Sequence, residues 1–334
     1  MSMQATLRPT LAVIDGKALH HNVERVRAMS KGRRIMAILK ANAYGHGLVP
    51  TAKVLLEAGV EEIGVAFLEE GILLRQAGIR APILVLGGII GNQILHFLEF
   101  DLMMAASSVH KVQQIEEVAS RVGQKAKVHL KIDTGMGRIG VQWDTADQLV
   151  QAVLQNDHVE VVGMFSHLVE SEVEDPEFTM IQRDRFESVV RSFERHAGWL
   201  PCRHLANSGA VIQHPETHYD MVRVGLSLYG VAPDLRLRSV AGLRPALGLV
   251  SRVVYFKVVR EGRTVSYNRE WTAERDTRVV TLPVGYGDGY SRAFSKFAQS
   301  SCAAPAIPSL ATSPWTPSWW TSAQRAPRTT ATMS

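Results

Sequence analysis

The chain of 334 residues has little cysteine and no long apolar run. Its two cysteines, Cys202 and Cys302, are far apart, which excludes a disulfide framework and a zinc-binding spacing. We therefore expect no metal site and a reducing, cytoplasmic compartment. No apolar run reaches the roughly 18 residues of a membrane span, and the first ten residues, MSMQATLRPT, hold no apolar signal core. The sequence predicts a protein that does not enter the membrane.

Dense charge of one sign is also absent. The chain has 37 basic and 32 acidic residues, a formal net charge of +5. The basic residues are scattered, and only Lys31, Arg33 and Arg34 form a cluster. A nucleic-acid interface usually has a denser basic stripe, so we expect no nucleic-acid partner. The mild positive charge favours small anionic ligands such as phosphates.

Between about residues 34 and 230, short apolar runs alternate with amphipathic ones. Eight runs have the length and two-sided apolar character of buried parallel strands. They are residues 34–40, 62–67, 82–87, 102–106, 127–133, 159–165, 202–207 and 221–229. Helical patterns lie between most of them, which indicates repeated βα units. Eight units favour a (β/α)8 barrel, and a doubly wound open sheet is the alternative.

After about residue 243 the pattern becomes β-rich, with runs at 250–259 and 278–284 and no long helix between them. From residue 299 the composition changes again. That stretch holds five of the fourteen prolines and three of the six tryptophans, but no Asp, Glu or Gly. We expect a barrel domain at 1–242, an incomplete β-rich domain at 243–298, and a tail at 299–334 that is either disordered or the product of a reading-frame shift.

The first barrel strand ends in the string LKANAYGHG, which begins at Leu39. Lys40 therefore lies at the carboxyl end of a barrel strand, where barrel enzymes keep their sites. A lysine there, partly removed from water, can lose its proton and form a Schiff base with a carbonyl compound. The alternative is an ordinary surface lysine at the end of a strand.

The string KIDTGMGRIG follows the fifth strand and begins at Lys131. Its glycines, Gly135, Gly137 and Gly140, also satisfy the dinucleotide-binding pattern G-x-G-x-x-G, which is a weak signal alone. The motif lies in the fifth unit, and no acidic residue ends a following strand where a ribose needs one. We therefore do not expect a dinucleotide site.

Together these strings resemble the alanine racemase family, and further segments extend the resemblance from near Leu11 to about Lys296. They are FSH at 165–167, HLANSG at 204–209, VRVGL at 222–226, TVSYNR at 264–269 and VGYGDGY at 284–290. The resemblance implies a pyridoxal 5'-phosphate (PLP) enzyme that interconverts L- and D-alanine, for cell-wall peptidoglycan or for D-alanine catabolism. It also implies a homodimer.

The resemblance assigns roles to residues of this chain. Lys40 carries PLP and is one catalytic base, and Tyr267 of the other subunit is the second. The cofactor phosphate is held by Tyr44, Asn207, Ser208, Gly225 and Leu226, and the cofactor ring lies near His167 and Arg223. Lys131 is carbamylated and orients Arg138, which meets the substrate carboxylate; Tyr286 lines the way in for the substrate.

Two departures and one mechanistic feature stand out. Family members have glycine after the tyrosine of the second base, whereas this chain has Asn268, which tolerates a left-handed backbone better than most residues. The family's Met-Asp pair and a later tyrosine are missing after Lys296. Arg223 at the ring nitrogen opposes protonation there, which disfavours transamination and suits a racemase.

Three alternatives stay open. A PLP-carrying barrel protein without catalysis typically lacks the second domain, and residues 250–290 argue against it. A PLP decarboxylase of the same fold type would have an acidic residue at the ring nitrogen, where this chain has Arg223. A serine or broad-specificity racemase agrees with every motif.

Overall fold

The computed structural model of the protein describes residues 8–294, 299–300, 307–311 and 318–322. Two compact units divide the chain: one comprises residues 14–247, and the other comprises residues 1–13 together with 248–334. Within the described ranges, no helix is long and apolar enough to cross a membrane.

The larger unit is a nearly closed parallel barrel of eight strands. In chain order, after β1 (Leu11–Ile14), the strands are β2 (Arg34–Ile38), β3 (Glu62–Val65), β4 (Ile83–Val85), β5 (Met103–Ala106), β6 (Ala126–Asp133), a short β7 (Val141–Gln142) beside β6, β8 (Val159–Phe165), β9 (Cys202–His204) and β10 (Met221–Val224). The pairing order is β10-β2-β3-β4-β5-β6-β8-β9. Backbone hydrogen bonds from Asp220 to Arg203 (3.1 Å) and from Arg223 to Ala206 (3.0 Å) link the two end strands. The predicted barrel is confirmed, and the open sheet is excluded.

Helices connect the strands and cover the outside of the barrel. They are α1 (Gly16–Met29), α2 (Leu48–Glu57), α3 (Leu68–Gln76), α4 (Ile94–Glu99), α5 (Val109–Val122), α6 (Ala146–Leu154), α7 (Glu177–Ala197), α8 (Ser208–Gln213) and α9 (Arg238–Ala241). Side-chain caps set several of their starts. The Asp15 carboxylate accepts the N–H groups of Lys17 and Ala18 at α1, and Ser108 Oγ accepts that of Lys111 at α5.

The barrel strands are buried on both faces. Successive side chains of a strand point alternately outward, toward the helices, and inward, toward the barrel interior. Outward residues such as Val222 and Val224 join the large core under the helices. Inward residues form a second, smaller core, which contains Met36, Leu84, Met103, Phe165 and Met221. On β6, β9 and β10 the same inward positions carry polar side chains: His129 and Lys131, His204, and Arg223. The alternation therefore brings four basic side chains into the barrel interior.

The second unit is β-rich, as the sequence predicts. It contains β11 (Leu247–Val250), β12 (Tyr255–Val259), β13 (Thr264–Val265), β14 (Trp271–Thr272), β15 (Thr277–Leu282), β16 (Gln299–Ser300), β17 (Ile307–Ala311) and β18 (Ser318–Ser322). Strand β1 pairs with β11, β13 pairs with β14, and the main sheet has the order β12-β15-β18-β17-β16. A small core of Val259, Val265, Ala273 and Val279 holds it together.

The segment 299–334 lies mostly outside the described residues. Its described strands β16, β17 and β18 join the main sheet, where β18 pairs antiparallel with β15 in the register Val280↔Trp320. The expectation that this segment is disordered or frame-shifted stays a prediction, as do the three domain boundaries.

Candidate active site

Lys40 lies two positions after the end of β2 and begins a turn of unusual backbone conformation. The next four residues, Ala41 to Tyr44, all have positive φ angles between 53° and 55°. This is a left-handed helical turn built without glycine, and each such residue costs roughly 1–2 kcal/mol. Four consecutive residues of this kind persist only where the surroundings hold them.

Several hydrogen bonds hold this left-handed turn. The N–H of Ala41 donates to Glu70 Oε1 at 2.7 Å, and Asn42 Oδ1 accepts the N–H of Leu48 at 2.8 Å. The ring nitrogen Nδ1 of His46 lies 3.1 Å from the carbonyl oxygen of Ala43, and that oxygen can only accept the bond. The side chains of Asn42 and His46 in the string LKANAYGHG therefore have a structural role. Lys40 itself stays exposed in the single chain.

Tyr44, at the end of the turn, meets the loop after β10. A Cβ added to Gly225 would lie 2.7 Å from Tyr44 Oη, so only glycine fits there without a shift. Ser208 Oγ accepts the N–H groups of Gly225 (3.2 Å) and Ser227 (3.4 Å), which ties the start of α8 to the same loop. The Ser227 hydroxyl is buried and has no hydrogen-bond partner among the described residues.

These features form a cradle for an anion, which we call the anion cradle: Tyr44, Asn207, Ser208, Gly225, Leu226 and Ser227. Asn207 caps α8 by accepting the N–H of Ala210 at 3.1 Å, and the first N–H groups of the helix have no acceptor within it. A phosphate has oxygens for these donors and for the unpartnered hydroxyl of Ser227. The residues present therefore fit the phosphate of PLP.

Arg223 lies inside the barrel on β10 and is 4% exposed. Its guanidinium donates to the carbonyl oxygens of His204 (2.5 Å), Ser166 (2.6 Å) and Leu205 (3.1 Å). Burial lowers its pKa to about 9. Among the described ion pairs none involves Arg223, so carbonyl dipoles rather than a carboxylate balance its charge. It is still protonated at neutral pH.

Two buried histidines extend this network across the barrel. His204 Nδ1 lies 3.2 Å from Arg223 Nη1, and His204 Nε2 lies 2.8 Å from His129 Nδ1. Burial, with nearby positive charge, lowers the pKa of His129 to about 3 and that of His204 far below its usual value. Because Arg223 can only donate, His204 Nδ1 accepts, and its Nε2–H donates to His129.

Lys131 stands two residues after His129 on the same face of β6. It is 5% exposed, and its Nζ donates to the carbonyl oxygen of Ile132 at 3.3 Å. Burial first, and then the charge of Arg223, lowers its pKa to about 7. A large fraction of Lys131 is therefore a neutral amine near pH 7, the form that can react with carbon dioxide.

The glycine loop after β6 wraps around a carboxylate of this chain. Asp133 Oδ1 accepts the N–H of Gly135 at 2.9 Å, and its Oδ2 accepts that of Gly137, also at 2.9 Å. These two donors are therefore occupied by a carboxylate of the chain itself. That the loop holds no dinucleotide stays a prediction. The loop carries Arg138, whose side chain is exposed.

His167 follows β8, and its pKa depends on the positive charges around it. Burial and then four cations lower its pKa well below its usual value. In decreasing order of effect, these cations are Arg223, Lys131, Arg138 and Lys40. The structure thus brings together the barrel residues that the sequence singles out. It also makes their shared region strongly positive, which suits an anionic cofactor and a carboxylate substrate.

Tyr267 and Tyr286 belong to the second unit. Tyr267 is 70% exposed and begins a short 3₁₀ turn, Tyr267–Arg269. Asn268 has φ 56°, so the predicted tolerance for a left-handed backbone at this departure from the family is confirmed. Tyr286 is 38% exposed.

Sequence reasoning missed several residues of the site. His129 alternates with Lys131 on β6, a spacing that could have placed it inside the barrel. The close approach of Gly163 to His129 had no sequence signal: a Cβ there would lie 2.1 Å from the imidazole Nδ1. Ser227 and Glu70 were also missed. The Ser227 hydroxyl is marked only by its burial without a partner among the described residues, and the bond from Ala41 to Glu70 spans 29 positions.

The chain combines a parallel eight-stranded barrel, which holds a lysine, an anion cradle and a buried arginine, with a β-rich unit that follows it in sequence. With the relatives reported below, this makes it an amino-acid racemase. The sequence model "Alanine racemase, N-terminal domain" matches residues 14–233, and "Alanine racemase, C-terminal domain" matches residues 246–308. The chain belongs to the alanine racemase family.

Individual relatives agree with this assignment. The chain is 42% identical over 294 residues to an alanine racemase of Symbiobacterium thermophilum, which covers 88% of this chain and 78% of that one. It resembles the solved alanine racemase of Streptomyces coelicolor A3(2) with a TM-score of 0.88 and 29% identity, over 98% of this chain and 88% of that one. A histidine racemase of Leuconostoc mesenteroides has a TM-score of 0.82 and 26% identity, over 95% and 85%.

Proposed function

We propose that the protein racemises alanine with PLP as its cofactor. The observation that carries this proposal is what surrounds Lys40. Its Nζ lies 6.0 Å from the ring centroid of Tyr44, which belongs to the anion cradle, and its charge acts on His167, which lies 3.4 Å from buried Arg223. PLP, when bound, supplies an aldehyde that reacts with amines and a ring that takes up the electron pair of the substrate's Cα–H bond. Everything else in the reaction falls to the residues of the protein.

The barrel residues bind and orient. Tyr44, Asn207, Ser208, Gly225 and Leu226 would hold the phosphate, and Ser227 would add a hydroxyl. Arg223 and His167 would hold the ring. Because the guanidinium of Arg223 stays charged and can only donate, it keeps a proton off a ring nitrogen placed next to it. By keeping that nitrogen unprotonated, Arg223 would favour prompt return of the proton to the α-carbon.

Two bases move the proton. Lys40 Nζ removes or returns it on the face of the α-carbon that belongs to D-alanine, and Tyr267 Oη of the partner subunit does so on the L face. Racemisation needs both, since one base alone returns the proton to the face it came from. This assignment makes the protein a homodimer, and exposed apolar side chains on β12, Tyr255, Phe256 and Val258, offer surface for a second copy.

Lys131 and Arg138 prepare the substrate carboxylate site. A neutral Lys131 amine adds to carbon dioxide and releases one proton, which leaves a carbamate anion. This anion orients the guanidinium of Arg138, and Arg138 in turn binds the substrate carboxylate. Tyr286 lines the way in for the substrate.

We further place the protein in the cytoplasm because it has little cysteine. There it supplies D-alanine for peptidoglycan or takes part in D-alanine catabolism.

Substrate conversion tests the function directly. The holoprotein is incubated with L-alanine, L-serine, L-lysine or L-histidine, and the products are separated by chiral chromatography. We expect alanine to have the highest kcat/KM, by about tenfold to a hundredfold over serine, the range within which a site usually discriminates against one added hydroxyl. A protein that binds PLP but converts none of the four is a non-catalytic carrier. Release of carbon dioxide identifies a decarboxylase, and faster turnover of serine or histidine overturns the choice of alanine.

The anion cradle gives a prediction on cofactor binding. Gly225→Ala places a methyl group against Tyr44 Oη and is expected to weaken PLP binding by about tenfold to a hundredfold, since overpacking costs roughly 1–3 kcal/mol. Equilibrium titration of the apoprotein with PLP measures this. Gly88→Ala is the matched control, because Gly88 is exposed and an added Cβ meets nothing within 4 Å. Unchanged PLP affinity in Gly225→Ala counts against the cradle.

A further inference from the structure

Glu70 holds three backbone N–H groups with one carboxylate. Its Oε2 accepts the N–H groups of Ala66 (2.8 Å) and Phe67 (3.2 Å), which follow β3. Its Oε1 accepts the N–H of Ala41 at 2.7 Å. Ala41 lies 29 residues earlier and is the residue directly after Lys40. The carboxylate therefore joins the start of α3 to the left-handed turn.

Two of these bonds have a local explanation. Glu70 stands in the first turn of α3, and its bond to the Phe67 N–H is half of a capping box, which caps the helix start. Glutamine serves a capping box as well as glutamate does. The bond to Ala41 is different, because it caps no helix and reaches another loop.

Only a carboxylate can make both sets of bonds. Its two oxygens both accept, one toward Ala41 and one toward Ala66 and Phe67. An amide at this position has one accepting oxygen and one NH₂ group. With the oxygen toward α3, the NH₂ would face the N–H of Ala41, donor against donor, and the hold on the turn would be lost.

What the Ala41 bond holds is the first residue of the left-handed turn. A charge-assisted hydrogen bond fixes that peptide where alanine would otherwise leave the left-handed region. The turn has Lys40 directly before it and Tyr44 as its last residue. The direction of the lysine amine and the place of the tyrosine in the anion cradle therefore both depend on this peptide.

We propose that Glu70 is a positioning residue of the racemase: its carboxylate fixes the left-handed turn and so aims Lys40 at the cofactor and the substrate α-carbon. The inference rests on the role proposed for Lys40. Glu70 touches neither substrate nor cofactor, and it acts through the Ala41 peptide.

Glu70→Gln separates the two functions of the side chain. Because glutamine keeps the helix cap, the midpoint of thermal unfolding of the apoprotein is expected to change little. The rate at which Lys40 takes up PLP, followed by borohydride fixation and peptide mass spectrometry, is expected to fall about tenfold or more, since a misplaced reacting group costs heavily. We expect kcat to fall by a similar factor while KM changes less than about threefold. Glu69→Gln, which removes the neighbouring charge of the same helical turn, is the matched control.

A second substitution tests the mechanism of the effect. Glycine adopts the left-handed conformation without penalty. In the Glu70→Gln background, Ala41→Gly is therefore expected to recover part of the lost rate, about threefold or more. If Glu70 only capped α3, a change at Ala41 would recover no activity. Recovery by Ala41→Gly therefore supports the positioning role even if Glu70→Gln lowers the midpoint of thermal unfolding.

The outcomes distinguish the inference from the function on which it rests. If wild type is fixed at Lys40 and racemises alanine, but Glu70→Gln behaves like Glu69→Gln, the positioning role is wrong and the proposed function stands. If wild-type protein attaches PLP at another lysine or none, both fall. Slower uptake and lower kcat at an unchanged unfolding midpoint, with recovery by Ala41→Gly, support the positioning role.

Discussion

Lys40→Ala is expected to lower racemase activity in both directions by about a thousandfold or more, since it removes both the amine that carries the cofactor and one of the two proton-transfer groups. Phosphate binding in the anion cradle does not depend on this side chain, so the variant is expected to retain PLP noncovalently. Chiral chromatography measures the rates from L- and from D-alanine. Borohydride treatment followed by peptide mapping shows whether the cofactor is fixed, and where.

Two controls sharpen this test. Lys53→Ala removes an exposed lysine on α2, 13 positions further along, and is expected to be silent. Lys40→Arg keeps the positive charge, but arginine does not deprotonate in the range where enzymes work, so it is expected to be as inactive as the alanine variant. Near-normal activity in Lys40→Arg would mean that Lys40 contributes charge alone. Fixation of PLP to a different lysine in wild type would refute the assignment.

The sequence was sufficient for the barrel because strand burial leaves a direct signal. Runs such as 127–133 are apolar at alternate positions and face the helices through Val128, Leu130 and Ile132. The intervening positions, including Lys131, then necessarily face inward. The family resemblance and the strand pattern place the site at the same end of the barrel. The resemblance assigns Lys40 as the catalytic lysine, and parallel strands bring their carboxyl ends, where Lys40 lies, to one end.

The left-handed turn after Lys40 was beyond sequence reasoning. Alanine strongly favours right-handed helix, and nothing in the string LKANAYGHG predicts four consecutive positive φ angles. The conformation is held by Glu70, which reaches it from α3 through a tertiary hydrogen bond, and by a local bond from Leu48 to the Asn42 side chain. Local propensity and the final structure disagree there, as is common at functional sites.

The groups that balance charge inside the barrel could not be predicted from the sequence either. The sequence identifies Arg223, but not the three carbonyl oxygens that balance its positive charge in place of an acidic side chain. These oxygens surround it because β8, β9 and β10 meet there. His129 and His204 are 75 residues apart in the chain. Their contact, and the depressed pKa values that keep both neutral, exist only once the barrel is formed.

Tyr267→Phe is expected to separate the two faces of the reaction. The phenol is the proposed base for L-alanine, so in deuterated water the variant is expected to lose exchange of the α-hydrogen of L-alanine while D-alanine still exchanges through Lys40. Net racemisation is expected to fall by about a hundredfold to ten-thousandfold, the usual contribution of a positioned general base. Proton NMR of each enantiomer follows the exchange. Glu274→Gln, an equally conservative change at an exposed residue of the same unit outside the β12 surface, is the control.

Mixing the two inactive variants tests whether the bases come from different subunits. A hybrid of Lys40→Ala with Tyr267→Phe has one site in which an intact Lys40 meets Tyr267 of the partner subunit, and one site that lacks both. Random exchange makes half of the dimers hybrids with half of their sites intact, so activity is expected to return to about a quarter of the wild-type value. Sedimentation of the mixture establishes that dimers are present. Dimers that exchange subunits yet stay inactive would place both bases in one chain, and equal exchange of the two enantiomers in Tyr267→Phe would remove the tyrosine from the mechanism.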